Sequence, residues 1–292
     1  MTIQAGRGGR SRQTTTVALA ALVSLALAGC GGGGGGGGGA PTSSTSPAAQ
    51  TPAPAPTPAP TPAPAPTPAP APAPSTGTGG SGGMPGLSTR TVTVGGTAHD
   101  FLVYYPPTLD PATPAPVLTL LHGQGGTNSS MIGLWDQIAD MFGVVLVATQ
   151  STGSTGGWTY SGDPAILGAA LADVDSAFNI ETRRRYLWGF SSGGHFGHTI
   201  ALANSEYFAA YAVNAGVVTQ NPAASRLIPV SIQVGTSDPL GPQCDQSRQL
   251  LESRGHTVAF HVFSGGHFVD PTHALQAWQD MESHSLPAPS TP

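Results

Sequence analysis

The chain has 292 residues, with Gly 41 and Pro 29, and ten Lys+Arg against fifteen Asp+Glu. Fifteen of the glycines and fifteen of the prolines fall within residues 31–88, as consecutive Gly and then alternating Pro, without the Gly at every third position that collagen needs. Every basic residue is Arg, and three of them, Arg7, Arg10 and Arg12, stand at the start, so seven basic side chains face fifteen acidic ones beyond that point. A chain so acidic has no electrostatic footprint for nucleic acid. Residues 89–286 have an ordinary Gly and Pro content and suit one domain with a core of its own.

In chain order, residues 1–29 join the basic start to an apolar stretch from Val17 to Ala28. That stretch is shorter than the ~20 residues a spanning helix needs, so it reads as the core of a signal peptide. It ends in Leu27-Ala28-Gly29-Cys30, which resembles the lipobox of bacterial lipoproteins. The resemblance implies cleavage behind Gly29 and acylation of Cys30. The exported protein would then be lipid-anchored in the bacterial cell envelope without a spanning helix. An ordinary cleaved signal peptide is the alternative. Residues 30–88 read as a tether: Gly31–Gly39, a Ser/Thr/Pro patch, then Thr-Pro and Ala-Pro alternation over 51–74. Alternating Pro blocks helix and ladder and leaves polyproline II, reaching about 75 Å at ~3.1 Å per residue. Gly77–Gly83 reads as a flexible end to it. With Cys30 acylated, Cys244 has no intramolecular partner and is expected as a small buried hydrophobe.

From residue 90 the chain alternates strand-like and helix-like runs. Thr91–Val94 and Phe101–Tyr105, joined through Gly95-Gly96, predict a hairpin. Val117–Leu121 and Val144–Ala148 are short apolar runs of the kind found in buried parallel strands. Between them Met131, Ile132, Trp135, Ile138, Ala139 and Phe142 repeat at helical spacing, with caps expected among Asn128 to Ser130 and Gly143 closing. Asp163-Pro164 predicts an N-cap and N1 pair for a second helix. Tyr186–Phe190, Phe208–Val213, Val230–Val234 and Val258–Phe263 supply four more strands. A last helix is expected from Asp270-Pro271, with Leu275, Trp278 and Met281 inward. The alternation predicts a mostly parallel eight-stranded sheet flanked by helices, with residues 287–292 as a disordered tail.

Gly189-Phe190-Ser191-Ser192-Gly193 stands at one of these strand ends. A nucleophilic Ser on a strained strand-to-helix turn tolerates only small residues two before and two after it. Ser191 meets that condition, and Ser192 fails it because Phe190 would stand two before. Gly79-Gly80-Ser81-Gly82-Gly83 matches the same pattern by chance, with no strand before it. Asp238 follows the strand Val230–Val234, and His267 follows Val258–Phe263 behind Gly265-Gly266. His122-Gly123-Gln124-Gly125-Gly126 follows the third strand, where a glycine turn offers oxyanion donors. The expected donors are the backbone N–H groups of Gln124 and Ser192. Trp158, Tyr160 and His195 are candidates for contact with substrate. His195 and His198 have spacing that suits metal poorly. His261 and His273 do not follow strand ends, and Asp245 and Asp270 are rival acids placed less well than Asp238.

The order Ser191, Asp238, His267 and these motifs resemble the α/β-hydrolase superfamily over nearly all of 90–284. Within it the chain is similar to poly(3-hydroxybutyrate) depolymerase-like and feruloyl or acetylxylan esterases. The likeness rests on His122-Gly123, on the run from Asn179 through Arg185 into Gly-Phe-Ser-Ser-Gly-Gly, on Gly235-Thr236-Ser237-Asp238 and on Gly265-Gly266-His267. The chain lacks the extra cysteines of many such relatives, and no large lid is expected. The resemblance implies a monomeric serine esterase with Ser191 acylated, His267 as base then acid, and Asp238 orienting the imidazole. No metal or other cofactor is implied, and the substrate would be a small or polymeric ester. Another α/β hydrolase (peptidase, thioesterase or acyltransferase) or a non-catalytic glycan-binding module are the alternatives. The anchor has its own expected outcome: Cys30→Ser moves the protein from the membrane to the soluble fraction, and unchanged partition on fractionation rejects lipidation.

Overall fold

The computed structural model describes residues 76–220 and 222–288. The chain divides into two units, Met1–Pro66 and Thr67–Pro292, and every described residue belongs to the second. The signal peptide, Cys30, the tether up to residue 75 and residues 289–292 lie outside the described residues. Among the described residues no helix is long and apolar enough to cross a membrane.

Eight strands form one sheet: β1 (Gly86–Val94), β2 (Thr97–Tyr105), β3 (Ala115–Leu121), β4 (Val145–Thr149), β5 (Ile180–Phe190), β6 (Ala210–Asn214), β7 (Val230–Gly235) and β8 (Val258–Phe263). Their spatial order is β1-β2-β4-β3-β5-β6-β7-β8. β1 and β2 pair antiparallel, as do β2 and β4, and every later pairing is parallel. The β1–β2 hairpin turns on Gly95 and Gly96, both at positive φ (58° and 81°), a twist that matches the flanking strands. Parallel strands need crossovers, and five helices provide cover: α1 (Asn128–Phe142), α2 (Asp163–Ala177), α3 (Ser192–Ala203), α4 (Gly241–Ser253) and α5 (Pro271–Met281).

Alternation along each central strand divides the core in two. Val145, Val147, Leu187, Tyr211 and Val213 face α2, α3 and α4, whereas Leu146, Ala148, Tyr186, Trp188, Ala210 and Ala212 face α1 and α5. Both faces are covered, which is why these strands read as continuous apolar runs. The α1–α5 side is fixed by aromatics: Trp135 meets Trp188 edge-on at 5.4 Å, and Trp278 meets Tyr186 in the same manner at 5.4 Å.

Several helix starts differ from expectation. Thr127, not a residue of 128–130, caps α1, accepting from Ser130 N–H, while Ser130 completes the capping box. Gly143 closes α1 in the left-handed conformation, at φ 64°. Gly162 precedes α2, and Asp163, expected as its cap, turns its carboxylate to the loop before it. Asp270 caps α5 as expected, accepting from Thr272 and His273 N–H. α4 carries no apolar period in the sequence, because it buries only Cys244, Ser247 and Leu251.

The domain also begins before residue 89. Thr78 N–H donates to Ile180 and Gly82 N–H to Ala177, while Thr182 N–H donates to Thr76, so residues 76–82 lie along the start of β5 and the end of α2. A Cβ on Gly80 would stand 2.6 Å from the Ala177–Phe178 peptide, and one on Gly82 would stand 2.4 Å from Ala177 O. The glycines read as flexible therefore permit close docking, and the strand pairing of β1 starts at Gly86. Trp278→Ala is expected to cost about 3–5 kcal/mol in urea unfolding, through a cavity beneath α5. Thr127→Ala is expected to cost only ~1 kcal/mol, the worth of one cap.

Candidate active site

β5 passes into α3 through a single residue, Ser191, at φ 53° and ψ −118°. Positive φ is strained for a residue with a Cβ, at about 1–3 kcal/mol, and persists only where the surroundings enforce it. Here Ser191 N–H donates to Asn214 O at 2.8 Å, and Ser191 O accepts from His195 N–H at 2.9 Å. The flanking glycines let the turn close. A Cβ on Gly189 would lie 2.3 Å from Gly193 O, and one on Gly193 would lie 2.3 Å from Leu121 O. Further along α3, a Cβ on Gly194 would lie 2.8 Å from Gly216 Cα, so helix and β6 loop touch backbone to backbone.

His267 Nε2 stands 2.8 Å from Ser191 Oγ, and His267 Nδ1 stands 2.8 Å from Asp238 Oδ2. The geometry has Ser191 O–H donating to Nε2 and Nδ1–H donating to the carboxylate. The Asp238 side chain is fully buried, and its Oδ1 accepts from Leu240 N–H at 2.9 Å. The loops that carry acid and base are stitched together: Thr236 N–H donates to Phe263 O, and Ser237 N–H to Gly265 O. Gly265, at φ 144°, provides a bend that side-chain-bearing residues rarely adopt.

The loop after β3 is fixed from beneath by His122. Its Nε2 accepts from Ser151 N–H at 3.2 Å and from the Gln150 amide at 2.9 Å, so the proton is on Nδ1, which donates to Gly123 O at 2.7 Å. Burial lowers the pKa of this imidazole, consistent with the neutral form. Gln150 also donates to Gly126 O and accepts from Asn128 N–H. Among the described residues neither Gln124 N–H nor Ser192 N–H has a protein acceptor, and both residues line a cavity of about 500 Å³ beside Ser191. The third strand's turn and the start of α3 thus leave two unengaged donors on one side of the serine.

Trp158, Tyr160 and His195 line the same cavity. Trp158 is held by its indole N–H on His122 O at 2.8 Å and by stacking on Phe196 at 5.0 Å. The Tyr160 and Thr219 hydroxyls meet at 2.8 Å. Asp163 organises the loop that carries both aromatics, accepting from Thr152 Oγ1 at 2.7 Å and Thr159 N–H at 2.7 Å while almost wholly buried. No sequence signal separated that role from helix capping, since Asp before Pro reads as a cap.

The remaining candidates lie elsewhere. His198 is buried against Tyr211 at 2.9 Å and does not share the cavity with His195. Asp245 pairs with Arg248, His261 with Asp280, and His273 stacks on Phe263. Cys244 is a buried free thiol whose pKa burial pushes up to about 12. Among the described residues no group of three or more His, Cys, Asp or Glu is disposed to hold a metal ion.

No protein-family model matches this chain. It is 30% identical over 174 residues to NocK of Nocardia uniformis subsp. tsuyamanensis, which bears the name of an esterase, across 53% of this chain and 49% of that one. It is also 30% identical over 148 residues to the bifunctional acetylxylan esterase/xylanase XynS20E of Neocallimastix patriciarum, across 49% of this chain and 22% of that one. The chain therefore spans less than half the length of either relative. Its backbone is similar to the ferulic acid esterase of Anaeromyces mucronatus, with TM-score 0.58 and 16% identity over 68% of this chain and 90% of that one. Sheet order and this likeness give the chain the α/β-hydrolase fold.

The buried imidazole under the site dictates a pH dependence of stability. Burial lowers the His198 pKa to about 3, against an ordinary value of 6.5. The unfolded chain takes up a proton that the native state refuses, so this stability is complete above pH 6.5 and is lost as pH falls toward 3. Each pH unit in that window costs about 1.4 kcal/mol. Urea unfolding at stepped pH is expected to show that slope reduced by one proton in His198→Gln.

Proposed function

We propose that this α/β-hydrolase-fold chain is a serine esterase that works through an acyl-enzyme. The observation that carries the reading is the continuous hydrogen-bonded series Ser191 Oγ, His267 and Asp238, each link 2.8 Å, with the serine on a strained strand-to-helix turn. Ser191 Oγ attacks the ester carbonyl as its proton passes to His267 Nε2. Asp238 holds the imidazole by Nδ1–H and stabilises the imidazolium that forms. The carbonyl oxygen gains charge in the tetrahedral intermediate and takes hydrogen bonds from Gln124 and Ser192 N–H, which already stand without partners. His267 then gives its proton to the departing alcohol oxygen. Water, deprotonated by the same imidazole, attacks the acyl-serine, and His267 passes that proton to Ser191 Oγ as the carboxylic acid departs.

The substrate class we propose is a carboxylic ester of the feruloyl or acetylxylan type, or a polyester of hydroxyalkanoates. The esterase names of the relatives and the fold likeness to a ferulic acid esterase support it. We also propose that the enzyme acts outside the cell from a lipid anchor at Cys30, on the strength of Leu27-Ala28-Gly29-Cys30 and the Pro-rich run after it. Wild-type protein is expected to react with a fluorophosphonate probe and to hydrolyse p-nitrophenyl acetate. Ser191→Ala is expected to abolish labelling and lower kcat by about 10⁴-fold or more, and Asp238→Asn by about 10⁴-fold. Methyl ferulate, acetylated xylan and polyhydroxybutyrate film then separate the ester classes. Wild-type protein that neither labels nor hydrolyses any of these would reject the esterase reading.

A further inference from the structure

His195 lies one helical turn beyond Ser191 on α3, which carries its ring to the cavity lined by Gln124 and Ser192. Val217 N–H donates to His195 Nδ1 at 2.7 Å. An Nδ1 that accepts carries no proton, so a neutral ring has its proton on Nε2. Burial lowers the pKa of this imidazole, against the opposing effect of the Val217 contact, and so favours the neutral ring. Among the described residues nothing accepts from Nε2, yet Nε2 is not sealed from solvent. It is therefore a fixed N–H donor open to the cavity.

The other donors around the cavity are differently disposed. Trp158 N–H is engaged by His122 O, and the Tyr160 and Thr219 hydroxyls engage each other. Gln124, Ser154, Thr155 and Thr159 are uncharged, and no Asp, Glu, Lys or Arg lines the cavity. No charged side chain stands there to pair with a charged ligand, whereas a neutral oxygen finds one preset side-chain N–H besides the two backbone N–H groups of Gln124 and Ser192 that face the ester carbonyl. The side of the ester that enters follows from the chemistry. His267 must reach the departing alcohol oxygen, so the alcohol lies toward His267, and the cavity that His267 does not line takes the acyl group.

We propose that His195 is a specificity-determining residue, its Nε2–H binding a neutral hydroxyl, ether or methoxy oxygen on the acyl group of the substrate. The inference rests on the esterase reading above. It also explains why an imidazole stands one turn from the nucleophile, where its Nδ1 is tied to backbone and cannot serve as a base.

The test compares esters that differ by one oxygen in place of one methylene. These are p-nitrophenyl methoxyacetate against butyrate, and p-nitrophenyl 3-methoxypropanoate against pentanoate. The ether-to-alkyl ratio of kcat/KM is measured in wild type and variants, so intrinsic reactivity of the esters cancels. His195→Asn keeps an oxygen to accept from Val217 N–H but cannot reach the cavity with a donor. His195→Gln places an amide N–H near the Nε2 position, and His195→Phe removes both functions. In at least one pair the ratio is expected to fall about three- to tenfold in Asn and Phe, the worth of one neutral hydrogen bond, and to be retained in Gln. The loss is expected in KM for the ether ester, as for uniform binding. Fluorophosphonate labelling scores folding of each variant, and if Phe fails it the Asn and Gln pair carries the comparison. Ratios unmoved in Asn, or lowered equally in Asn and Gln, overturn the inference while leaving the esterase reading intact. Wild-type protein that hydrolyses none of the four esters overturns both.

Discussion

Where β3 ends beside the start of α3, a Cβ on Gly193 would sit 2.3 Å from Leu121 O and 2.5 Å from His122 O. Backbone at such range leaves α3 one way to begin, and Ser191 takes the strained φ of 53° as the result. The strain is sustained by its surroundings. β3, β5 and β6 are central strands, and the core residues Leu121, Leu187 and Val213 that back the turn are wholly buried. Close-packed interiors transmit force rather than absorb it, so the serine's position is a property of the whole sheet. The same closeness brings the Gln124 loop, which follows β3, alongside the Ser192 N–H without any contact dedicated to that purpose.

The loops at this end of the sheet are held by buried polar groups that bind backbone of the loops as well as side chains. His122 binds Gly123 O and Ser151 N–H, Asp163 binds Thr152 and Thr159, and Asp238 binds Leu240. A buried polar group without partners is costly, so each of these residues accepts only the loop conformation that satisfies it. Rigidity at the site thus comes from hydrogen-bond satisfaction, while rigidity of the scaffold comes from Trp135, Trp188 and Trp278 on the opposite side.

The parts of the fold readable from sequence are those where one physical demand dominates. Continuous apolar runs required strands covered on both faces, and Gly189 and Gly193 around Ser191 required a turn with no room for side chains. Asp238 and His267 were readable because each follows a strand directly. Other features depend on long-range partners. Asp163 reads as a cap by local rules, and only its partners Thr152 and Thr159 in the preceding loop give it its other role. Gln150 acts through His122, twenty-eight positions away in sequence. α4 buries too few apolar residues for a period, and the glycines of 77–83 look flexible until the backbone of Ala177 and Phe178 is placed against them.

That last contact fixes a direction. Thr76 meets Thr182 near the beginning of β5, and Ser191 follows the end of that same strand. At about 3.3 Å per residue, roughly 25 Å of strand separates the two points. Thr76 therefore stands at one end of the sheet, and the strained turn at Ser191 occupies the other.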